Sequence, residues 1–193
     1  MKSVAVYCGS SSGNQPIYTQ QAQAMGGELA RRDLTLVYGG GCVGLMGAIA
    51  DAVLAEGGRV IGVIPGFLAD KELAHRGCTE LHVVDTMHQR KLLMADLAEG
   101  FVAMPGGFGT LEELFEVLTW GQLGLHGKPV GLLNIEGFYN PLLALLDHMQ
   151  GEAFLRQENR SQVLQHADAA ALLDAMAAYQ PVRLEKWLTP STT

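Results

Sequence analysis

The chain has 193 residues, 48% of them hydrophobic, and a formal net charge of −7. This length and apolar content suit one domain with a core of its own. Because nucleic-acid surfaces depend on clustered lysine and arginine, the acidic balance argues against a nucleic-acid partner.

Along the chain, short apolar runs alternate with longer segments of helical periodicity. The runs predict strands at 3–9, 34–40, 59–65, 80–85, 100–106 and 129–135. The periodic segments predict helices at 16–32, 44–56, 87–99, 110–124, 140–150 and 167–180. Most strands are nearly continuous in valine, isoleucine and leucine, as expected for parallel strands covered on both faces. The sequence therefore predicts an α/β fold, a parallel sheet with helices on both faces, in a single domain over 1–188 with a frayed tail at 189–193.

Cysteine spacing and hydropathy bear on where the protein works. Cys8, Cys42 and Cys78 form no CxxC pair, which is typical of a reduced, cytoplasmic protein. The first apolar run is too short for a signal peptide, and no segment approaches about 18 uninterrupted apolar residues, so no membrane association is predicted. The histidines show no HExxH or similar spacing, and no metal site is predicted.

Glycine-rich turns follow three of the predicted strands, at 8–13, 38–44 and 104–110. Ligands of such sheets bind beyond the carboxyl ends of the strands, so these turns predict one nucleotide-sized crevice. Gly39, Gly41 and Gly44 match G-x-G-x-x-G, but the next strand ends without the acid that a dinucleotide ribose needs. Close packing of helix on sheet is therefore the favoured interpretation of these glycines, and no loop has the GxxxxGK[ST] pattern of an NTPase.

The stretch "MPGGFGTLEEL", residues 104–114, combines a glycine-rich turn with two carboxylates. Its glycines expose backbone donors, and Thr110 is predicted to lie near the start of a helix, where anions bind. Glu112 and Glu113 are predicted in the first turn of that helix, with Glu113 at the margin of its apolar face. Two interpretations stay open at this point, since the acids could face a bound ligand or merely complement the helix dipole.

A basic pair opens the preceding helix. Thr86 and Gln89 have capping-box spacing, which places Arg90 and Lys91 early in the helix, where the dipole disfavours cations. An anionic partner is therefore indicated, either a carboxylate or a ligand phosphate, although a solvated pair is the alternative.

With these motifs together, the sequence resembles the LONELY GUY (LOG) family of cytokinin riboside 5′-monophosphate phosphoribohydrolases. The family motif P-G-G-x-G-T-x-x-E is complete, as Pro105, Gly106, Gly107, Gly109, Thr110 and Glu113. "MHQRK" at 87–91 and "EVLTWGQLGLHGKPVGLLN" at 116–134 match as well, and the resemblance extends from the first strand to about residue 150.

The resemblance implies a Rossmann-like three-layer fold and a homodimer with sites near the subunit interface. It also implies hydrolysis of the N-glycosidic bond of AMP-type nucleotides, giving free base and ribose 5-phosphate without a metal or other cofactor. By position it assigns catalysis to Arg90 and Glu113. The residues that it assigns to substrate binding are Glu72, Lys91, Gly106, Gly107, Phe108, Gly109, Thr110, Glu112 and Thr119.

Two other functions are weighed against this one. Relatives of the fold bind nucleotides or carry cofactors without cleaving them, although a passive binder has no need of a shielded carboxylate at Glu113. An older name for the family is lysine decarboxylase, a chemistry that normally needs pyridoxal phosphate on a lysine. None of Lys2, Lys71, Lys91, Lys128 and Lys186 has a sequence context that suggests such a lysine.

Overall fold

A parallel sheet with helices on both faces organises the protein. The structure, a computed structural model, describes residues 1–69 and 73–181. Its strands are β1 Ser3–Tyr7, β2 Thr35–Tyr38, β3 Val60–Pro65, β4 Glu80–Val84, β5 Phe101–Ala103, β6 Val130–Leu133 and β7 Val163–His166. Its helices are α1 Pro16–Arg31, α2 Gly44–Ala55, α3 Gly66–Leu68, α4 Met87–Leu97, α5 Phe108–Gln122, α6 Asn140–Gly151, α7 Gln157–Arg160 and α8 Ala169–Ala177. The predicted α/β fold is confirmed.

The strand order creates a crevice beside the first strand. Within the described residues, the sheet has seven strands in the order β4-β3-β2-β1-β5-β6-β7, and every pairing is parallel. The chain builds outward from β1 to β4 on one side, then returns to place β5 on the other side of β1. This reversal between β1 and β5 is the switch point at which Rossmann-like sheets bind their ligands.

Two apolar layers cover the sheet. Helices α1, α2 and α8 enclose one face, where Met25, Leu29 and Ile49 are fully buried. Helices α4, α5 and α6 cover the other face, with Met94 and Leu114 among its buried side chains. Central strand β1 is buried along its whole length, in agreement with its unbroken apolar sequence.

Sequence patterns locate most elements but miss the last strand. All six predicted strands are present, and the six predicted helices overlap α1, α2, α4, α5, α6 and α8. Strand β7 was not predicted, because it is an edge strand of four residues whose Gln165 and His166 are exposed, so it has no apolar run. The predicted tail at 189–193 and the predicted site residue Glu72 lie outside the described residues.

A buried tyrosine fixes the end of β5, just before the glycine-rich turn. The Tyr139 hydroxyl donates a hydrogen bond to the carbonyl oxygen of Met104 at 2.6 Å, and both residues are essentially buried. The backbone N–H of Tyr139 in turn donates to the side-chain oxygen of Asn134 at 2.7 Å. The segment after β6 therefore anchors the strand that carries Pro105 and Gly106.

Replacing Tyr139 by phenylalanine is expected to lower the free energy of unfolding by about 1–3 kcal/mol, because the buried carbonyl of Met104 loses its donor. Urea denaturation measures this change. Tyr18→Phe is the matched control, since it removes a hydroxyl from a half-buried ring, and a change within about 0.5 kcal/mol is expected there. Equal stability of the two variants would contradict the anchoring role.

Candidate active site

A pocket of about 400 Å³ opens at the carboxyl ends of β1, β2, β3 and β5. The three glycine-rich turns predicted to meet there do so, because Gly9, Gly39 and Gly107 all line the pocket. A second cavity of about 310 Å³ adjoins it and shares Gly9, Ser10 and Gly107 with it. A crevice is therefore present where it was predicted at this edge of the sheet, as two adjoining cavities.

Arg90 is held in the pocket by the strand ends. Its Nε donates to the carbonyl oxygen of Val63 at 3.1 Å, and its Nη2 donates to that of Gly39 at 3.3 Å. The remaining nitrogen, Nη1, lies 3.4 Å from Oε1 of Glu113. Two nitrogens therefore fix the guanidinium plane, and the third faces a carboxylate.

Glu113 is the buried carboxylate of the pocket. Only 8% of the residue is exposed, and no lysine contacts it directly among the described ion pairs. Burial raises the pKa of Glu113 from its ordinary 4.5 to about 7, and the opposing attraction of Arg90 is not strong enough to cancel this effect. A carboxyl group that ionises near neutral pH is suited to exchange protons during a reaction.

Lys91 pairs with carboxylates on the outer face of α5. Its Nζ donates to Oε1 of Glu112 and to Oε1 of Glu116, the latter at 3.0 Å. Burial disfavours its charge, but the hydrogen bonds to both glutamates outweigh that cost and raise the pKa of Lys91. The anionic partners predicted for the basic pair at the start of α4 are therefore carboxylates of α5. The capping box of Thr86 and Gln89 is also confirmed.

The glycine-rich turn differs from its predicted geometry. Helix α5 begins at Phe108 with Gly107 as its N-cap, two residues earlier than predicted. Glu112 and Glu113 consequently lie beyond the first turn, and the prediction that they occupy it was wrong. Since the dipole acts mainly on the first turn, complementing it does not explain these carboxylates.

The three glycines of the turn have different surroundings. A Cβ at Gly106 would overlap the hydroxyl of Thr110, so packing alone requires that glycine. A Cβ at Gly107 or Gly109 would meet nothing within 4 Å. Those two residues therefore leave the backbone at the start of α5 open, as close approach by a ligand requires.

The predicted site residues within the described part of the chain fall into three groups. Those that line the pocket are Arg90, Gly107, Phe108, Gly109, Thr110 and Glu113. Gly106 lines the adjoining cavity instead. Lys91, Glu112 and Thr119 line neither cavity, and the Thr119 hydroxyl donates to the carbonyl of Phe115 within α5.

Sequence reasoning missed the apolar side of the pocket. Val43, Met46, Ile64 and Leu68 line it, along with Tyr7 at the end of β1. In the sequence, these apolar residues are indistinguishable from residues of the core. Their positions near the carboxyl ends of the predicted strands, or in the segments that follow those strands, were the signal that could have identified them.

The lysines do not favour decarboxylase chemistry. Of the lysines within the described residues, none lines the pocket. Lys91 is bound to two carboxylates, and Lys128 donates to the carbonyl of Ala95 while lying over the ring of Phe101.

The described part of the chain also contains no cluster of acidic, histidine or cysteine side chains arranged for a metal ion. None of its helices has the length and apolarity that crossing a membrane requires.

Solved structures with similar architecture establish the fold but nothing more. The molybdenum cofactor carrier protein of Chlamydomonas reinhardtii has a TM-score of 0.71 and 22% identity, covering 92% of this chain and 99% of that chain. A molybdenum cofactor binding protein of Rippkaea orientalis has a TM-score of 0.68 and 20% identity, covering 92% and 96%. They support the Rossmann-like arrangement of the sheet.

Sequence comparison gives a closer relationship. A family model described as "Possible lysine decarboxylase" matches residues 46–176. Cytokinin riboside 5′-monophosphate phosphoribohydrolase of Rhodococcoides fascians is 52% identical over 176 residues, 91% of this chain and 89% of that protein. The Arabidopsis thaliana enzyme LOG7, of the same name, is 47% identical over 180 residues, 93% of this chain and 83% of that protein. Since the likeness spans the pocket and nearly the whole described fold, the chain belongs to the LOG family, whose family model has the older lysine decarboxylase name.

Proposed function

We propose that this protein hydrolyses the N-glycosidic bond of AMP-type nucleotides, including cytokinin riboside 5′-monophosphates, to free base and ribose 5-phosphate. The observation that carries the proposal is the buried Glu113, which lies 3.4 Å from the Arg90 guanidinium in a nucleotide-sized pocket. The names of the relatives at 47–52% identity support the same reaction.

The start of α5 suits the 5′-phosphate. The first N–H groups of a helix have no partners within it and attract anions. Gly107 and Gly109 leave this backbone open, and Thr110 adds a hydroxyl beside it. In the proposed complex the phosphate binds to residues 106–110, while Phe108, which is 94% exposed, covers the pocket entrance.

With the phosphate there, the ribose lies over Glu113, one turn farther along the same helix. Cleavage of the bond between C1′ and N9 develops positive charge on the ribose, as in other glycoside hydrolyses. The Glu113 carboxylate stabilises that charge and accepts a proton from the water that attacks C1′. The departing base gains a proton at its nitrogen, so the overall reaction consumes one water molecule. Arg90 binds the anionic substrate and orients the Glu113 carboxylate.

The remaining family positions extend this assignment. Lys91, Glu112 and Thr119 are proposed as further substrate contacts from the outer face of α4 and α5. Glu72, which lies outside the described residues, is proposed as another substrate contact on family grounds alone. A family homodimer would bring a second subunit against that face, which exposes Leu92 and Phe115 as well as Phe108. Light scattering of the purified protein tests the proposed dimer. A cytoplasmic location is proposed from the cysteine pattern, because Cys8 and Cys78 form no disulfide.

The proposed reaction is tested by incubating the purified protein with AMP and with isopentenyladenosine 5′-monophosphate. Chromatography then separates nucleotide, nucleoside and base. Free base in equal amount to ribose 5-phosphate is the expected result, and the two rates rank the substrates. Binding of both nucleotides without release of base would instead favour a carrier function, and the absence of a pyridoxal absorbance band would exclude the decarboxylase.

The pH dependence of kcat/KM is expected to reflect Glu113. Because the pKa of Glu113 is raised to about 7 and the reaction needs its carboxylate, kcat/KM should fall as the pH drops through about 7. Rates measured between pH 5 and 9 with subsaturating AMP give the midpoint. A midpoint near the ordinary value of 4.5 would contradict the assignment of Glu113 as the ionising group.

A further inference from the structure

The end of strand β2 holds the Arg90 guanidinium in an unusually specific way. Carbonyl oxygens of Gly39, directly after β2, and of Val63, within β3, accept hydrogen bonds from two of its nitrogens. Only Nη1 is left to face Glu113. The position of the guanidinium therefore depends on how closely it approaches the backbone at Gly39.

Glycine is required at position 39 because the Arg90 guanidinium lies so close to it, and not because the backbone there has a positive φ. A Cβ at Gly39 would overlap Nη2 of Arg90 and lie 3.0 Å from its Cζ. Among the described residues, the glycines with positive φ include the neighbours Gly40 and Gly44, at 71° and 61°, but not Gly39. Alanine at 39 is therefore free of backbone strain, and its main conflict is with the charged end of Arg90.

We propose that Gly39 is a positioning residue for catalysis, which admits the Arg90 guanidinium to the strand ends and so sets its distance from Glu113. The inference rests on the proposed function. It also gives the first glycine of the G-x-G-x-x-G match a purpose other than dinucleotide binding. The interacting element is an arginine of the protein itself, where a dinucleotide motif would receive a pyrophosphate.

Gly39→Ala is expected to fold, because the atoms displaced belong to the end of a flexible side chain. Arg90 must then leave at least one carbonyl and move relative to Glu113. Misplacement of a catalytic group by about 1 Å costs on the order of 10²-fold in rate, and a loss of that size in kcat/KM is expected. Thermal unfolding of the variant should stay close to that of the unaltered protein.

A second readout separates positioning from general damage. Arg90 lowers the pKa of Glu113, so its displacement should move the acidic limb of the pH profile to higher pH. The other charged or titratable groups that interact with Glu113 are Lys91, Glu112, Glu116, Tyr7 and Cys8. The three atoms nearest to the new methyl group belong to Arg90 and Met46 and to none of these residues.

The experiment compares the unaltered protein with Gly39→Ala and with Gly27→Ala, a control on α1 whose Cβ would have no neighbour closer than 4.0 Å. The pH profile of AMP hydrolysis is measured for each. In parallel, the carboxyl carbon of Glu113 is titrated by NMR and assigned through Glu113→Gln. A higher midpoint in Gly39→Ala alone supports the proposal, whereas an unchanged midpoint overturns it. If neither the unaltered protein nor either variant hydrolyses AMP, the proposed function fails. The NMR titration of Glu113 still tests the position of Arg90 in that case.

Discussion

Replacing Glu113 by glutamine is expected to reduce kcat for AMP hydrolysis by about 10²–10⁴-fold, the usual contribution of a general acid or base. Glutamine keeps the size and hydrogen-bonding capacity of the side chain, but it carries no charge and accepts no proton. It should therefore leave the positive charge on the ribose without a partner. Steady-state rates with AMP measure the loss, and calorimetry with AMP should show that binding persists.

The variant is also expected to be folded. Because burial raises the pKa of Glu113 in the folded protein above its ordinary value, the folded state favours the neutral form. Stability associated with that proton is lost as the pH rises through about 7, so Glu113→Gln should melt no earlier than the unaltered protein at pH 8. Glu152→Gln, at an exposed glutamate after α6, is the matched control and should keep full activity. Retention of more than a tenth of the rate by Glu113→Gln would overturn the catalytic role.

Replacing Arg90 by lysine is expected to lower kcat/KM by about 10²-fold, because the substrate and the Glu113 carboxylate lose the group that orients them and misplacement of a catalytic group by about 1 Å costs roughly that much. Arg90 uses separate nitrogens for Gly39, Val63 and Glu113, and the single ammonium of lysine does not reproduce that fork. The charge is kept, so the result separates geometry from electrostatics. Rates with AMP at pH 8 and pH 6 measure the effect.

Arg160→Lys provides the control for this substitution. Arg160 resembles Arg90 in being largely buried and in pairing with a carboxylate. Its Nε donates to Oδ1 of Asp147 at 2.6 Å, away from the pocket. A change of less than twofold is expected there. Similar losses in the two lysine variants would show that the Arg90 effect comes from weakened folding and not from the site.

The sequence predicted the site better than the orientation of its parts. Residue types and spacing identified the edge of the sheet and the turn at 104–110, because local motifs and parallel topology determine both. The pairing of Arg90 with Glu113 came instead from the family resemblance. Orientation was less predictable. That Lys91 pairs with Glu112 and Glu116, whereas Arg90 turns inward to Gly39 and Val63, depends on contacts between elements far apart in the chain. Strand β7 was missed because an exposed edge has no apolar pattern.

The position of β1 has a consequence for how the enzyme becomes active. Helix α4, with Arg90, packs on β1, β2 and β3, whereas α5, with Glu113, packs on β1 and β5. The two proposed catalytic groups are therefore contributed by opposite halves of the sheet, which join where β1 pairs with β5. During synthesis, a chain extended only to α4 contains the arginine without its carboxylate. The proposed site is thus complete only when the second half of the chain has docked against a strand made from its first residues.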